Sequence, residues 1–115
     1  MKIVFQGAFL GSLLILSSFV NAKSPDIEKG KRLFMANCLQ CHNRDPNVRG
    51  SIGPEVVDAP LEVMTSKIMT GKYPEKLPDG FVPKRKTRVM RPITKLKNDI
   101  PNIWAYIQSV KKKKL

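Results

Sequence analysis

One pentapeptide, Cys38-Leu39-Gln40-Cys41-His42, limits the folds open to this chain more than any other stretch. Cys-x-x-Cys-His is the attachment signature of a c-type haem. Two cysteines three residues apart on a helical turn lie on one face, so both thiols can reach the vinyl groups of one porphyrin. His42 follows Cys41 directly and can place its imidazole on the iron. The sequence therefore predicts one covalent haem c, with its iron, held by Cys38, Cys41 and His42.

Three other kinds of site use two cysteines at this spacing: a disulfide, a redox-active pair and half of a zinc site. Zinc needs further Cys or His ligands, but the chain has only two cysteines and one histidine. A thioredoxin-like pair favours a preceding strand, whereas the residues that flank this motif are typical of a helix. Haem attachment is the interpretation that uses both cysteines and the histidine.

The first 22 residues have the pattern of a secretory signal peptide. Lys2 precedes an apolar stretch over residues 3–20, and Ala22 ends a short segment that suits cleavage. We predict cleavage after Ala22, which leaves one domain over residues 23–115 and a periplasmic location. An uncleaved membrane anchor is the alternative, because the stretch is nearly long enough to span a bilayer. Its glycines and polar residues favour cleavage.

The chain is strongly basic, with 21 Lys and Arg against 9 Asp and Glu and a formal net charge of +12 at pH 7. Such a charge governs association rather than fold. An exported haem protein rarely meets nucleic acid, so we expect no nucleic-acid partner. We expect a monomer that binds redox proteins with acidic docking faces. The lysines of residues 111–114 fit a solvated helix end, a docking role or peripheral membrane contact.

Capping residues and apolar spacing predict a first helix that begins at Ser24-Pro25 and ends near Asn37. Ile27, Gly30 and Phe34 fall on one face of it. A glycine inside a helix costs up to about 1 kcal/mol relative to alanine. Gly30 therefore indicates that another helix crosses closely at this point.

Two further helices follow. Asp58-Ala59-Pro60 opens the second, and Gly71 ends it. Residues 71–92 are too rich in proline for a regular helix and are predicted to form a long loop, which is usually functional in a compact domain. The third helix runs from about Asn98 to about Val110. Its apolar face is predicted to comprise Ile100, Ile103, Trp104 and Ile107, with Tyr106 adjoining.

His42 is the only histidine, so the second axial position on the iron is left to methionine, lysine, water or nothing. Met35 is too close to the motif to reach the opposite side. Met64 and Met69 lie on the second helix, where a methionine more often fills the core. Met90 lies in the long loop, far enough along the chain to wrap around. We predict Met90 as the sixth ligand, with Met64 as the alternative.

A ligating histidine usually donates its second ring hydrogen to a nearby carbonyl. Gly53-Pro54 follows the loop after the motif, and Pro54 is a rigid residue that could present such a carbonyl. Pro54 is therefore a candidate partner of His42, although Gly-Pro alone is a common turn pair.

Several of these residues together resemble class I, single-haem cytochromes c. They are, in order, Gly30-x-x-x-Phe34, Cys38-x-x-Cys41-His42, Gly53-Pro54, Met90 and Trp104-Ala105-Tyr106. The resemblance implies an all-α fold in which the first and last helices cross over a covalently bound haem, with Gly30 and Phe34 meeting the region of residues 104–106. It also implies His42 and Met90 as axial ligands and the Pro54 carbonyl as the partner of His42. One departure is Arg91, which separates Met90 from Pro92 where members often have Met-Pro.

Histidine and methionine on the iron would fill both axial positions and raise the reduction potential. Outer-sphere electron transfer is then favoured over chemistry at the iron, so we predict a one-electron carrier between redox enzymes, without catalytic residues and not itself an enzyme. An alternative is the haem-bearing subunit of a multi-protein oxidoreductase, and a gas or redox sensor would need a weak bond to Met90. Basic residues lie on both sides of Met90; they are Lys84, Arg85, Lys86, Arg88 and Arg91. We expect them to steer acidic partners; the alternatives are an ordinary solvated loop and arginines that neutralise haem propionates.

Overall fold

A computed structural model describes residues 24–85 and 90–113 of the chain, together with Gly7. These residues form three α-helices and one 3-10 helix and contain no strand, which confirms the predicted all-α fold. The helices are α1 (Ile27–Asn37), α2 (Leu61–Thr70), the 3-10 helix (Thr94–Asp99) and α3 (Ile100–Ser109). The predicted signal peptide, residues 1–22, lies outside the described residues except for Gly7. Cleavage after Ala22 therefore stays a prediction.

The start of α1 differs from the prediction. The cap is Asp26, whose carboxylate accepts a hydrogen bond from the backbone N–H of Lys29 at 2.9 Å. Ser24 is therefore not the cap, because the side chain that reaches an unpaired N–H three residues on belongs to Asp26. Ile27 is also 43% exposed rather than buried. This end of the helix interface is polar, since the N–H of Asp26 donates to Asn102 Oδ1 at 2.8 Å.

α1 packs against α3, and Gly30 lies at the crossing as predicted. A Cβ added at Gly30 would collide with the backbone carbonyl of Asn102 and lie 2.9 Å from the nitrogen of Ile103. One turn along each helix, the rings of Phe34 and Tyr106 pack with their centroids 5.7 Å apart. Gly30 thus meets α3 just before residues 104–106, and Phe34 meets that region itself.

α2 begins after Pro60 and ends at Gly71, as the sequence predicted, and Gly71 takes the left-handed conformation that favours glycine (φ 74°). Trp104 is only partly buried, and its indole N–H donates to the carbonyl of Ala59 at 3.0 Å, which ties α3 to the start of α2. The core between the helices consists of Phe34, Cys38, Val57, Met64, Ile68, Leu96, Ile100, Ile103, Tyr106 and Ile107.

The 3-10 helix of residues 94–99 was not predicted. Only Leu96 is buried in this short stretch, at 3% exposed, so its sequence shows no apolar periodicity. The residue before this helix, Ile93, is bonded to α2: its N–H donates to the carbonyl of Ile68 at 2.7 Å. The loop predicted over residues 71–92 has no helix in its described part, and residues 86–89 lie outside the described residues.

The segment after α3 is tied to the loop that follows the pentapeptide. Asn47 accepts a hydrogen bond from the N–H of Lys112 and donates one to the carbonyl of Val110, both at 2.9 Å. Lys112 also pairs with Asp45 at 3.2 Å, and Lys111 pairs with Asp58 at 3.3 Å. Hydrogen bonds from Asn47 and Lys112 lower the pKa of Asp45 to about 2. The first two lysines of the basic end are thus engaged within the protein.

Candidate functional site

The pentapeptide forms a tight turn directly after α1. Cys38 caps the helix, its N–H donating to the carbonyl of Phe34 at 3.0 Å, and the N–H of His42 returns to the carbonyl of Cys38 at 3.0 Å. Neither cysteine is in a disulfide. Cys38 is 9% exposed, and its burial raises the pKa of its thiol to about 11, whereas Cys41 is half-buried. The turn thus presents two thiols and one imidazole from five consecutive residues.

The imidazole of His42 is held by Pro54. Its Nδ1 lies 2.9 Å from the carbonyl oxygen of Pro54. Because a carbonyl can only accept, Nδ1 carries the hydrogen of this bond, and the tautomer leaves the lone pair of Nε2 available to a metal ion. The structure therefore brings together four of the predicted site residues: Cys38, Cys41, His42 and Pro54.

Burial and two nearby positive charges keep His42 neutral. Burial is the largest effect and lowers the pKa of its imidazole, and the positive charges of Lys67 and Arg85 lower it further. The hydrogen bond to Pro54 acts in the opposite direction. The balance favours the neutral ring, which is the form that binds a metal ion.

Two glycines that the sequence analysis did not assign to the site pack directly on the turn. A Cβ added at Gly53 would lie 2.5 Å from Nδ1 and 2.9 Å from Nε2 of His42. A Cβ added at Gly50 would lie 2.6 Å from the Cα of His42. The N–H of Gly53 also donates to the carbonyl of Cys41 at 2.7 Å. Glycine is needed at both positions because the loop passes closely over the turn, and no signal in a single sequence separates such glycines from ordinary turn residues.

The methionines fall into two groups. Met64 lies on the buried face of α2 and is 7% exposed. Met35, Met69 and Met90 are partly buried and pack against the hydrophobic core that includes Cys38. Met90 lies three residues before Ile93, whose backbone is bonded to α2. Which methionine is the sixth ligand stays a prediction.

A family model described as Cytochrome c matches residues 27–111, which is most of the chain. The chain belongs to the cytochrome c family. No solved structure matches it. The predictions of a c-type cytochrome and of covalent haem c with iron are therefore confirmed at the level of the family.

Family membership also fixes the broad activity. Cytochromes c carry electrons by means of their haem and are generally not enzymes. In bacteria such domains are typically secreted or face the outside of the cell. Among the described residues, no helix has the length and apolar content needed to cross a membrane.

The residues of this cytochrome fit a haem. Two thiols and a histidine with Nε2 available are the donor set that a covalent, iron-containing porphyrin requires. A second fit is electrostatic, because haem carries two propionates and Arg85 has a buried nitrogen, Nη2, with no hydrogen-bond partner in the described part of the chain. Cys38, Cys41 and His42 would hold the group, and when bound it supplies a one-electron ferric/ferrous couple.

The basic residues predicted to flank Met90 differ in their surroundings. Lys84 pairs with Glu55 at 2.6 Å and with Asp58 at 3.1 Å. Arg85 donates from Nη1 to the carbonyl of Ile52. Arg91 is exposed, and Lys86 and Arg88 lie outside the described residues. Lys84 and Arg85 thus make contacts within the protein, whereas Arg91, on the far side of Met90, is exposed.

Proposed function

We propose that this cytochrome c is a periplasmic one-electron carrier, with haem bound through Cys38 and Cys41 and its iron held between His42 and Met90. The carrier is exported by the signal peptide of residues 1–22, and its functional domain is residues 23–115. It exchanges electrons with redox proteins that present acidic docking faces.

The hydrogen bond between His42 and Pro54 is the observation that carries the proposal. A metal-binding histidine needs one nitrogen protonated and fixed so that the other can point its lone pair at the metal. The 2.9 Å contact with the Pro54 carbonyl does this for Nδ1. It is also made directly after the two cysteines of a haem-attachment motif, in a chain that belongs to a haem-binding family.

Met90 is favoured as the second axial ligand because the other methionines have competing roles. Met64 is almost fully buried and its side chain fills the core. Met35 lies three residues before Cys38, on the same helix that carries the attachment turn. Met90 is partly buried, outside any helix, and reaches the core from the long loop.

With His42 and Met90 both bound to it, the iron would have no open position for a substrate. Cys38, Cys41 and His42 would then fix the orientation of the cofactor, with Cys38 buried in the core between the helices. The thioether of Met90 would raise the reduction potential relative to a site without it. These roles suit transfer of an electron to a docked partner rather than catalysis at the iron.

Replacing Met90 with alanine tests the ligand. We expect the purified M90A holoprotein to lose the absorption spectrum of low-spin, six-coordinate haem and to bind carbon monoxide when reduced. M64A serves as the control, because it removes a core side chain and should lower stability by about 2–5 kcal/mol while keeping the spectrum. A low-spin spectrum retained in M90A but lost in M64A would move the ligand to Met64.

Docking is proposed to use exposed basic residues that follow Met90. Arg91, Lys95 and Lys97 are all exposed, and the first acidic residue after them, Asp99, already pairs with Lys29 at 3.1 Å. No acidic residue lies between Arg91 and Lys97 in the sequence, so these three positive charges have no acidic neighbour there. Charges of this kind speed the approach of an acidic partner, and salt weakens the effect.

Two small oxidants of opposite charge test the docking surface. Oxidation of the ferrous protein by hexacyanoferrate(III) should slow as salt is added, whereas oxidation by the cationic oxidant tris(1,10-phenanthroline)cobalt(III) should quicken. R91E should slow the reaction with hexacyanoferrate(III) severalfold, and K31E, an equal charge change at an exposed position of α1, should have a smaller effect. Equal effects of R91E and K31E would argue against a docking surface beside Met90.

A further inference from the structure

Arg85 has a guanidinium group of which only one side is bonded among the described residues. Nη1 donates to the backbone carbonyl of Ile52. Nη2 is buried and is the one buried side-chain nitrogen or oxygen without a hydrogen-bond partner in the part of the chain that the structure describes. A buried, charged donor left unpaired is costly, so such an atom calls for an acceptor.

The position of Arg85 places this donor beside the haem-attachment turn. The N–H of Ile52 donates to the carbonyl of Cys41 at 3.3 Å. The next residue, Gly53, packs on the ring of His42. The guanidinium is therefore anchored to the backbone of the same segment that holds the proposed iron ligand.

The first two acidic residues that follow Ile52 in the sequence, Glu55 and Asp58, already pair with Lys84, the neighbour of Arg85. Lys84 takes both Glu55 and Asp58, at 2.6 and 3.1 Å. Asp58 is shared further with Lys111 at 3.3 Å. An acidic partner protein is also a poor candidate, because Nη2 is buried and a docked surface could not reach it.

We propose that Nη2 of Arg85 donates a hydrogen bond to a propionate carboxylate of the haem while Nη1 keeps its bond to Ile52. The inference rests on the proposed function, because it requires the haem to be attached at Cys38 and Cys41. A planar fork with two parallel donors suits this double role, which a lysine ammonium cannot reproduce. Arg85 is then a positioning residue that links the cofactor to the segment leading into Met90.

Redox difference infrared spectroscopy of holoprotein with ¹³C-labelled propionate carboxyl groups tests the proposal. We expect the labelled carboxylate bands to shift in R85Q relative to the wild type. R91Q is the matched control, because it removes an equal charge at an exposed site, and its labelled bands should stay in place. Labelled bands that are unchanged in R85Q would overturn the proposal.

A measurement on the wild type covers the case in which R85Q fails to fold. In the diamagnetic ferrous holoprotein, the guanidinium protons of Arg85 should show nuclear Overhauser contacts to the propionate methylene protons, and the absence of these contacts would overturn the proposal. Wild-type protein without covalent haem would overturn the proposed function as well. A normal wild-type haem spectrum with unshifted R85Q bands would overturn only the role of Arg85.

Discussion

Substituting alanine for Gly53 is expected to displace the imidazole of His42. The added Cβ would lie 2.5 Å from Nδ1, and ordinary contact begins at 3.4 Å, so the ring must move by about 0.9 Å. N–H···O hydrogen bonds extend to only about 3.2 Å. A displacement of that size therefore breaks the 2.9 Å bond to the carbonyl of Pro54.

The cost of G53A has two parts. A lost hydrogen bond of this type is worth about 1 kcal/mol, and crowding in a well-packed region costs about 1–3 kcal/mol. Together they lower the free energy of unfolding by about 2–4 kcal/mol. In a domain of this size each kcal/mol lowers the melting temperature by about 4–8 °C, so we expect a fall on the order of 15 °C.

Thermal unfolding of the holoprotein, followed by circular dichroism, measures this fall. S51A is the matched control, since Ser51 is exposed in the same loop and its substitution should stay within about 0.5 kcal/mol. The reduction potential gives a second reading. Loss of the Pro54 bond makes His42 a less basic ligand, stabilises the ferric form less and raises the potential. Equal melting temperatures for G53A and S51A would refute the close packing of Gly53 on His42.

Two further substitutions test the fold. G30A forces a Cβ against the backbone of Asn102. Even after a gain in helix propensity of up to about 1 kcal/mol, we expect the free energy of unfolding in urea to fall by about 2 kcal/mol. K31A, on the exposed face of the same helix, should change it little. D45N tests whether the carboxyl group of Asp45 has a pKa of about 2 in the folded protein. Because this pKa is depressed, the stabilisation by Asp45 is present above its ordinary pKa near 4 and is lost as pH falls towards 2. The difference in urea midpoint between wild type and D45N should therefore be largest at neutral pH and vanish near pH 2, and a constant difference would contradict the assignment.

The parts of the fold that were predictable depend on strong local signals. Gly30 inside a helical pattern pointed to a close crossing, and the structure has the backbone of Asn102 against it. Gly71 ended α2 because few other residues take a left-handed conformation without strain. The pentapeptide identified its chemistry because haem attachment needs two thiols and a histidine in one short turn.

Other parts depend on contacts that the local sequence does not encode. Ser24 and Asp26 are equally good caps by composition, and tertiary bonding to Asn102 accompanies the choice of Asp26. The 3-10 helix around Leu96 follows from burial of one side chain rather than from a repeating pattern. The closeness of Gly50 to His42 and the pairing of Lys111 and Lys112 with acidic residues arise only after distant segments fold together.

The packing of α1 on α3 also determines when the fold can close. Synthesis delivers α1 first and α3 last, so a growing chain carries the first helix for most of its length before the partner exists. Cys38 belongs to the same core as Ile100, Ile103, Tyr106 and Ile107 of α3, so this core is incomplete until α3 is present. The turn is therefore open to attachment chemistry at its two sulfurs for as long as α3 has not packed against α1.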